Sequence, residues 1–141
     1  MPTLSSAINA SASALNAERT RIEVAVSNLA NAESTRSADG TPYRRRDVVL
    51  RSDAPTFNAA LERTGATGVA VAAVVEDQTP FRRRYEPSNP DADADGFVSL
   101  PNVDTPQEMV DMMGAARAYQ ANLAAITIIK DVVAKALELG R

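Results

Sequence analysis

"SNLANAEST", residues 27–35, is where a helical repeat gives out. Asn28 and Asn31 stand three apart around Leu29, and an asparagine amide competes for nearby backbone groups, so such a pair weakens and ends a helix. Upstream, Ile8, Leu15, Ile22 and Leu29 recur every seven residues, with Ala12 and Val26 at i+4 positions between them. This heptad-like seam predicts a helix over about residues 4–31, a rod of roughly 40 Å at 1.5 Å per residue. On a helical wheel Asn28 and Asn31 fall beside Val24, away from the Ile22/Leu29 seam, and Asn31 can approach a C-cap conformation. Paired amides on that face hold out donors and acceptors that can fix, against a neighbouring surface, a register that apolar contacts leave loose.

A second helical segment closes the chain. Met109, Ala116, Leu123 and Lys130 recur every seven residues, and Met112, Tyr119, Ile126 and Val133 interleave with them. Thr105 as N-cap, Pro106 at the first helical position and Glu108 completing a capping box predict the start, with Gly140 as the stop. The helix is expected over roughly 105–139. Arg117, Gln120, Asp131, Lys135 and Glu138 occupy one strip, and the rest of the surface is mostly apolar, the pattern of a helix buried by several neighbours. A self-contained two-helix hairpin would leave that surface bare, whereas an apolar patch of such size marks an interaction site.

Between the helices the period changes. "YRRRDVVLRS" (43–52) and "GVAVAAVVED" (68–77) are Val-rich and partly alternating, and read as strands. "FNAALERT" (57–64) is ambiguous between a helical turn and a loop. "YEPSNPDADADGFVSLPNVDTP" (85–106) carries four prolines among Asp and Asn, predicting an extended, turn-rich connector. Asp39-Gly40 before Pro42 signals a turn. The expected fold class is α+β: long N- and C-terminal helices paired as a coiled coil around a small β-rich insert. Residues 1–35 and 102–141 would make the helical inner domain, and 36–101 the outer insert with its connector.

Composition narrows the chemistry. The 141 residues are 45% apolar with 4% aromatic and no tryptophan, so any core is thin. With no Cys and no His, thiol nucleophiles, Ser-His relays, common zinc sites and disulfides are excluded. The net charge of −3 gives no general attraction to nucleic acid or anionic membranes. The first basic residue is Arg19 and the longest apolar run is Val69–Val75, so neither a cleavable signal peptide nor a membrane span is expected. "DADADG" (91–96) matches the opening of a calcium loop, but Asn102 stands where position twelve needs a bidentate Glu, so a solvated turn is the better reading and a calcium-dependent module the minor alternative. Arg44-Arg45-Arg46 and Arg82-Arg83-Arg84 lack interleaved aromatics, and are expected at strand ends or in ionic contacts with acidic neighbours rather than on phosphate. Paired carboxylates for glycoside hydrolysis would lack a cleft in so thin an insert. No catalytic residues, metal or cofactor are expected.

Taken together, "SNLANAEST" followed by "DGTPYRRRDVVL", and the closing "DGFVSLPNVDTPQEMVDMMGAARAYQANLAAITIIK", resemble the two terminal signatures of the flagellar basal-body rod proteins, in the right order. The short insert and the "YEPSNPDADADGFVSLPNVD" connector are similar to the proximal-rod members; another rod or hook-side axial subunit is the alternative. Ala116 stands where relatives often carry Ser, and Phe97 where Tyr is frequent. The resemblance implies a non-enzymatic structural subunit of the periplasmic rod. It also implies export by the flagellar type III apparatus without signal cleavage, terminal helices paired in an inner tube, and neighbours among rod proteins, a rod-base adaptor and further copies. It assigns subunit contact to Ser27–Ala32, hence Asn28, Leu29 and Asn31. It extends the same role to Tyr43 and to Asn102-Val103-Asp104 through Asn122, which includes Met109, Met112, Arg117 and Tyr119. Ile22, Val26, Leu123 and Ile126 join them as apolar seam positions in the expected assembly surface.

Overall fold

A computed structural model describes residues 4–37, 40–53 and 67–140. Helix α1 spans Leu4–Ala30 and helix α2 spans Thr105–Leu139; between them lie strands β1 (Arg46–Ser52), β2 (Val69–Glu76), β3 (Arg82–Tyr85) and β4 (Phe97–Leu100). The last turn of α1 meets the first turn of α2 and the two helices pack along their length, so they run antiparallel. At 1.5 Å per residue α2, with eight more residues, outruns α1 by roughly 12 Å.

β1 and β2 form an antiparallel pair from Arg46↔Glu76 to Ser52↔Val69. Val49 pairs with Ala73 and Leu50 with Val71, so Ala72 is the extra residue of a bulge. The pair starts against α1, where the Ser13 hydroxyl accepts from the Val69 N–H at 3.0 Å. The region expected as an extended connector, 85–106, contains strand β4, which pairs antiparallel with β3 at its entrance, Arg82↔Leu100 to Tyr85↔Phe97. Their turn is ordered by Asp93, whose carboxylate accepts from the backbone N–H of Asp95 (3.0 Å) and Phe97 (2.8 Å), and by Gly96 at φ +80. Alternation of β4 as "FVSL" puts Val98 and Leu100 on one face, and both are buried. Arg82–Arg84 therefore form a strand, where the sequence placed them at a strand's edge. The segment 57–64 lies outside the described residues.

The buried residues fall in two places: Val98, Leu100, Pro101 and Val103 on and after β4 with Ala32 just past α1, and Ala17, Ala25, Asn28, Glu108 and Ala115 on the two helices. The fully buried stripe of α1 is alanine and asparagine, one 100° step around the helix from Leu29 at Asn28; Ile8, Leu15, Ile22 and Leu29 are half-buried and Val26 is exposed. On α2 only one of the two heptad rows turns inward: Met112, Tyr119, Ile126 and Val133 are half-buried, while Met109 and Leu123 are about half exposed. Among the described residues no helix is long and apolar enough to cross a membrane, and no group of metal-ligating side chains gathers.

Candidate assembly interface and the joint behind it

The helix ends meet at a polar joint. Asn28 is 1% exposed and uses every hydrogen-bonding position of its amide. Its Nδ2 donates to the Arg46 carbonyl (2.8 Å) and to Glu108 Oε2 (2.9 Å). Its Oδ1 accepts from the Arg46 N–H (2.9 Å) and from the Tyr43 hydroxyl (2.9 Å). One side chain thus binds both backbone groups of the first β1 residue as well as the opposite helix. A buried amide this fully paired avoids the penalty that orphaned polar groups carry.

Glu108 is 2% exposed and completes the joint from α2. Its other carboxylate oxygen takes Arg45 Nε. Arg45 also reaches Asp47, Asp77 and Asp111 at 3.6–3.8 Å. Burial opposes the Arg45 charge, but the hydrogen bond and field of Glu108 outweigh it, so the guanidinium pKa lies above its ordinary value. The Arg45 N–H donates to Asn102 Oδ1 (2.9 Å), and Asn102 Nδ2 donates onward to Thr79 Oγ1 (2.8 Å) and the Asp77 carbonyl (3.1 Å). The capping box expected at Glu108 is replaced by this tertiary role. The helix enters from Asp104, with no side-chain cap and a proline in its first turn.

The expected contact residues therefore separate into two groups. Asn28, Tyr43 and Asn102 face the interior of the chain, where their polar atoms are engaged; the reading of Asn28 as an amide held out to a neighbour gives way, because its own fold consumes it. Asn31 also bonds locally, with Nδ2 on the Ser27 carbonyl at 2.8 Å, and Asn122 does the same on Ala118 at 2.9 Å. Ile22, Leu29, Met112, Tyr119 and Ile126 are half-buried, whereas Val26, Met109, Arg117 and Leu123 lie at the surface. Sequence reasoning missed Glu108 and Arg45 as a buried pair. Glu108 was absorbed by its local capping pattern, and nothing in a triple-arginine run marks its central residue as the inward one.

On the outer side of α2, large apolar side chains flank the exposed polar strip of Arg117, Gln120, Asp131, Lys135 and Glu138, and no described residue covers them. Met109, Val110, Met113, Leu123, Ile128 and Val132 are all exposed. By contrast, the second arginine run is satisfied within the chain. Arg84 pairs with Glu33 (2.9 Å) and Glu86 (2.8 Å), Arg83 with Asp93 (2.6 Å), and Arg82 with Glu33 (3.7 Å). Thr35 and Arg36 bind Asp91 at 2.7 and 3.1 Å, pinning the segment after α1 to the β3–β4 turn.

Known proteins share this architecture's sequence across nearly all of its length. The family model for the flagellar basal body rod FlgEFG protein C-terminal region matches residues 94–139, β4 and α2 together. The flagellar basal-body rod protein FlgC of Salmonella typhimurium is 49% identical over 129 residues, 92% of this chain and 92% of that protein. The FlgC of Bacillus subtilis is 41% identical over 95% of this chain and 96% of its own length. That of Borreliella burgdorferi is 37% identical over 96% and 97%. With end-to-end identity of this size, the chain belongs to the FlgC family of flagellar basal-body rod proteins.

Proposed function

We propose that the chain is a structural subunit of the flagellar basal body, built into the proximal rod by polymerisation through its two terminal helices. The large apolar side chains exposed on α2 carry this reading: Val110 and Ile128 are each 62% exposed, on a helix already packed against α1. Burying such side chains against neighbours is worth about 1.5–3 kcal/mol each. In the assembly the helix pair, residues 1–35 and 102–141, forms an inner coiled-coil layer, and 36–101 forms the outer insert. Helices locked on more than one face resist sliding, which is what a shaft transmitting torque requires. Its neighbours are further copies, other rod proteins and the rod-base adaptor, reached in the periplasm after type III export without signal cleavage. It acts on no substrate and inserts into no membrane.

The test is a chromosomal replacement carrying Val110→Asp or Ile128→Asp, with export measured in the culture fluid and rods examined in isolated basal bodies. Exported protein without completed rods is expected. Normal rods and swimming in both variants would overturn the reading.

A further inference from the structure

We propose that Glu108 is the register-setting residue of the helix pair, selecting one of several alignments that the apolar contacts alone would accept. The half-buried apolar rows repeat every seven residues: Ile8, Leu15, Ile22 and Leu29 on α1, and Met112, Tyr119, Ile126 and Val133 on α2. Sliding α2 by one heptad, about 10 Å, replaces each apolar contact by a similar one. The small buried residues Ala17 and Ala25 offer no branched shape to interlock, and in the row of Ala115 the slide sets Asn122 in that buried alanine's place, a second polar mismatch on the Glu108 row.

The polar joint does oppose it. Within its own seven-residue row Glu108 is followed by Ala115, Asn122 and Ile129. A slide that brings Ala115 to Asn28 strips the amide of its carboxylate partner and leaves Arg45 without its nearest anion. A buried donor and a buried carboxylate each lose their partner at once, the most costly outcome for groups withdrawn from water. One buried polar contact choosing a register among degenerate apolar ones is the known use of such residues in helix pairs. Because Asn28 also holds the Arg46 backbone, the same contact fixes where the insert leaves the helices.

The chain has no cysteine, so two introduced thiols report without background. Spin labels at exposed Glu23 and Ala124, offset along the helix axis, give a distance that changes by several ångström on a one-heptad slide. The full-length protein is expected to show one distance. Glu108→Ala should split it into two populations at unchanged helix content by circular dichroism. Glu108→Gln, which can still accept from Asn28, should restore the single distance. Glu108→Ala retaining only the original distance would overturn the proposal. So would loss of helix content in that variant, which assigns Glu108 to holding the helices together, or splitting in Glu108→Gln equal to that in Glu108→Ala.

Discussion

The Asn28 amide and the Glu108 carboxylate, 80 residues apart in the chain, lie 2.9 Å from each other inside the protein. Through them the last turn of α1 is tied to the first turn of α2, and the start of β1 is tied to both.

Replacing Asn28 with Ala removes four hydrogen bonds and leaves the Arg46 N–H and the Glu108 carboxylate short of a partner. The folded monomer should lose about 2–4 kcal/mol in urea titrations. Asn31→Ala, which gives up one local bond to Ser27, should cost under about 1 kcal/mol. Equal effects from the two would show that the joint is not the source of stability.

Leu123 and Ile126 belong to one apolar helix but face different ways. Leu123 is 51% exposed, so Leu123→Asp should leave urea stability within about 0.5 kcal/mol while blocking rod completion. Ile126 is half-buried toward α1, so Ile126→Asp should reduce both. Denaturation of purified protein beside electron microscopy of basal bodies separates the two outcomes.

Gly96 adopts φ +80, and a Cβ there would fall 2.9 Å from the Tyr85 ring and 3.2 Å from Pro87 Cβ. Gly96→Ala should therefore cost about 2–3 kcal/mol, through left-handed backbone strain plus displacement of the Tyr85–Phe97 edge-on pair. Gly40, at φ +78 with nothing within 4 Å, pays the backbone term alone, about 1 kcal/mol. Thermal melts of the two variants rank them.

Acid should loosen the β3–β4 turn and the β2 exit. The Phe97 N–H, with Arg83 and the Asp95 N–H, holds Asp93 below its ordinary pKa of 3.8, and the Thr79 N–H and hydroxyl do the same for Asp77. A carboxylate whose folded pKa is depressed stabilises fully above its unfolded value and loses that contribution as pH falls through the folded one. Urea midpoints should thus hold down to about pH 4 and fall below it. Asp93→Asn should remove part of that fall, and an unchanged pH profile would count against the turn as an acid-sensitive element.

Both helices were legible because each announces itself over several turns. The seven-residue spacing, Pro106 and the run-out at Asn31 placed their limits within a residue or so of Leu4–Ala30 and Thr105–Leu139. The Val-rich strands were legible for the same local reason. The β3–β4 pair was obscured because four prolines and a string of aspartates dominate residues 85–106. The alternation that makes "FVSL" a strand with a buried face lasts only four residues.

What the sequence by itself determined is what repeats along the chain: two long helices, two Val-rich strands, and the exclusion of thiol and histidine chemistry. Which way each helix turns was decided only in three dimensions. Periodicity marks stripes, but Met109 and Met112 both lie on apolar rows, and only the position of α1 chooses the second as inward. The roles of Asn28 and Glu108 were likewise invisible locally, where one looked like a helix breaker and the other like a capping residue. Burial turned both into partners, since a polar side chain withdrawn from water must find its hydrogen bonds inside the protein, however far away along the chain they lie.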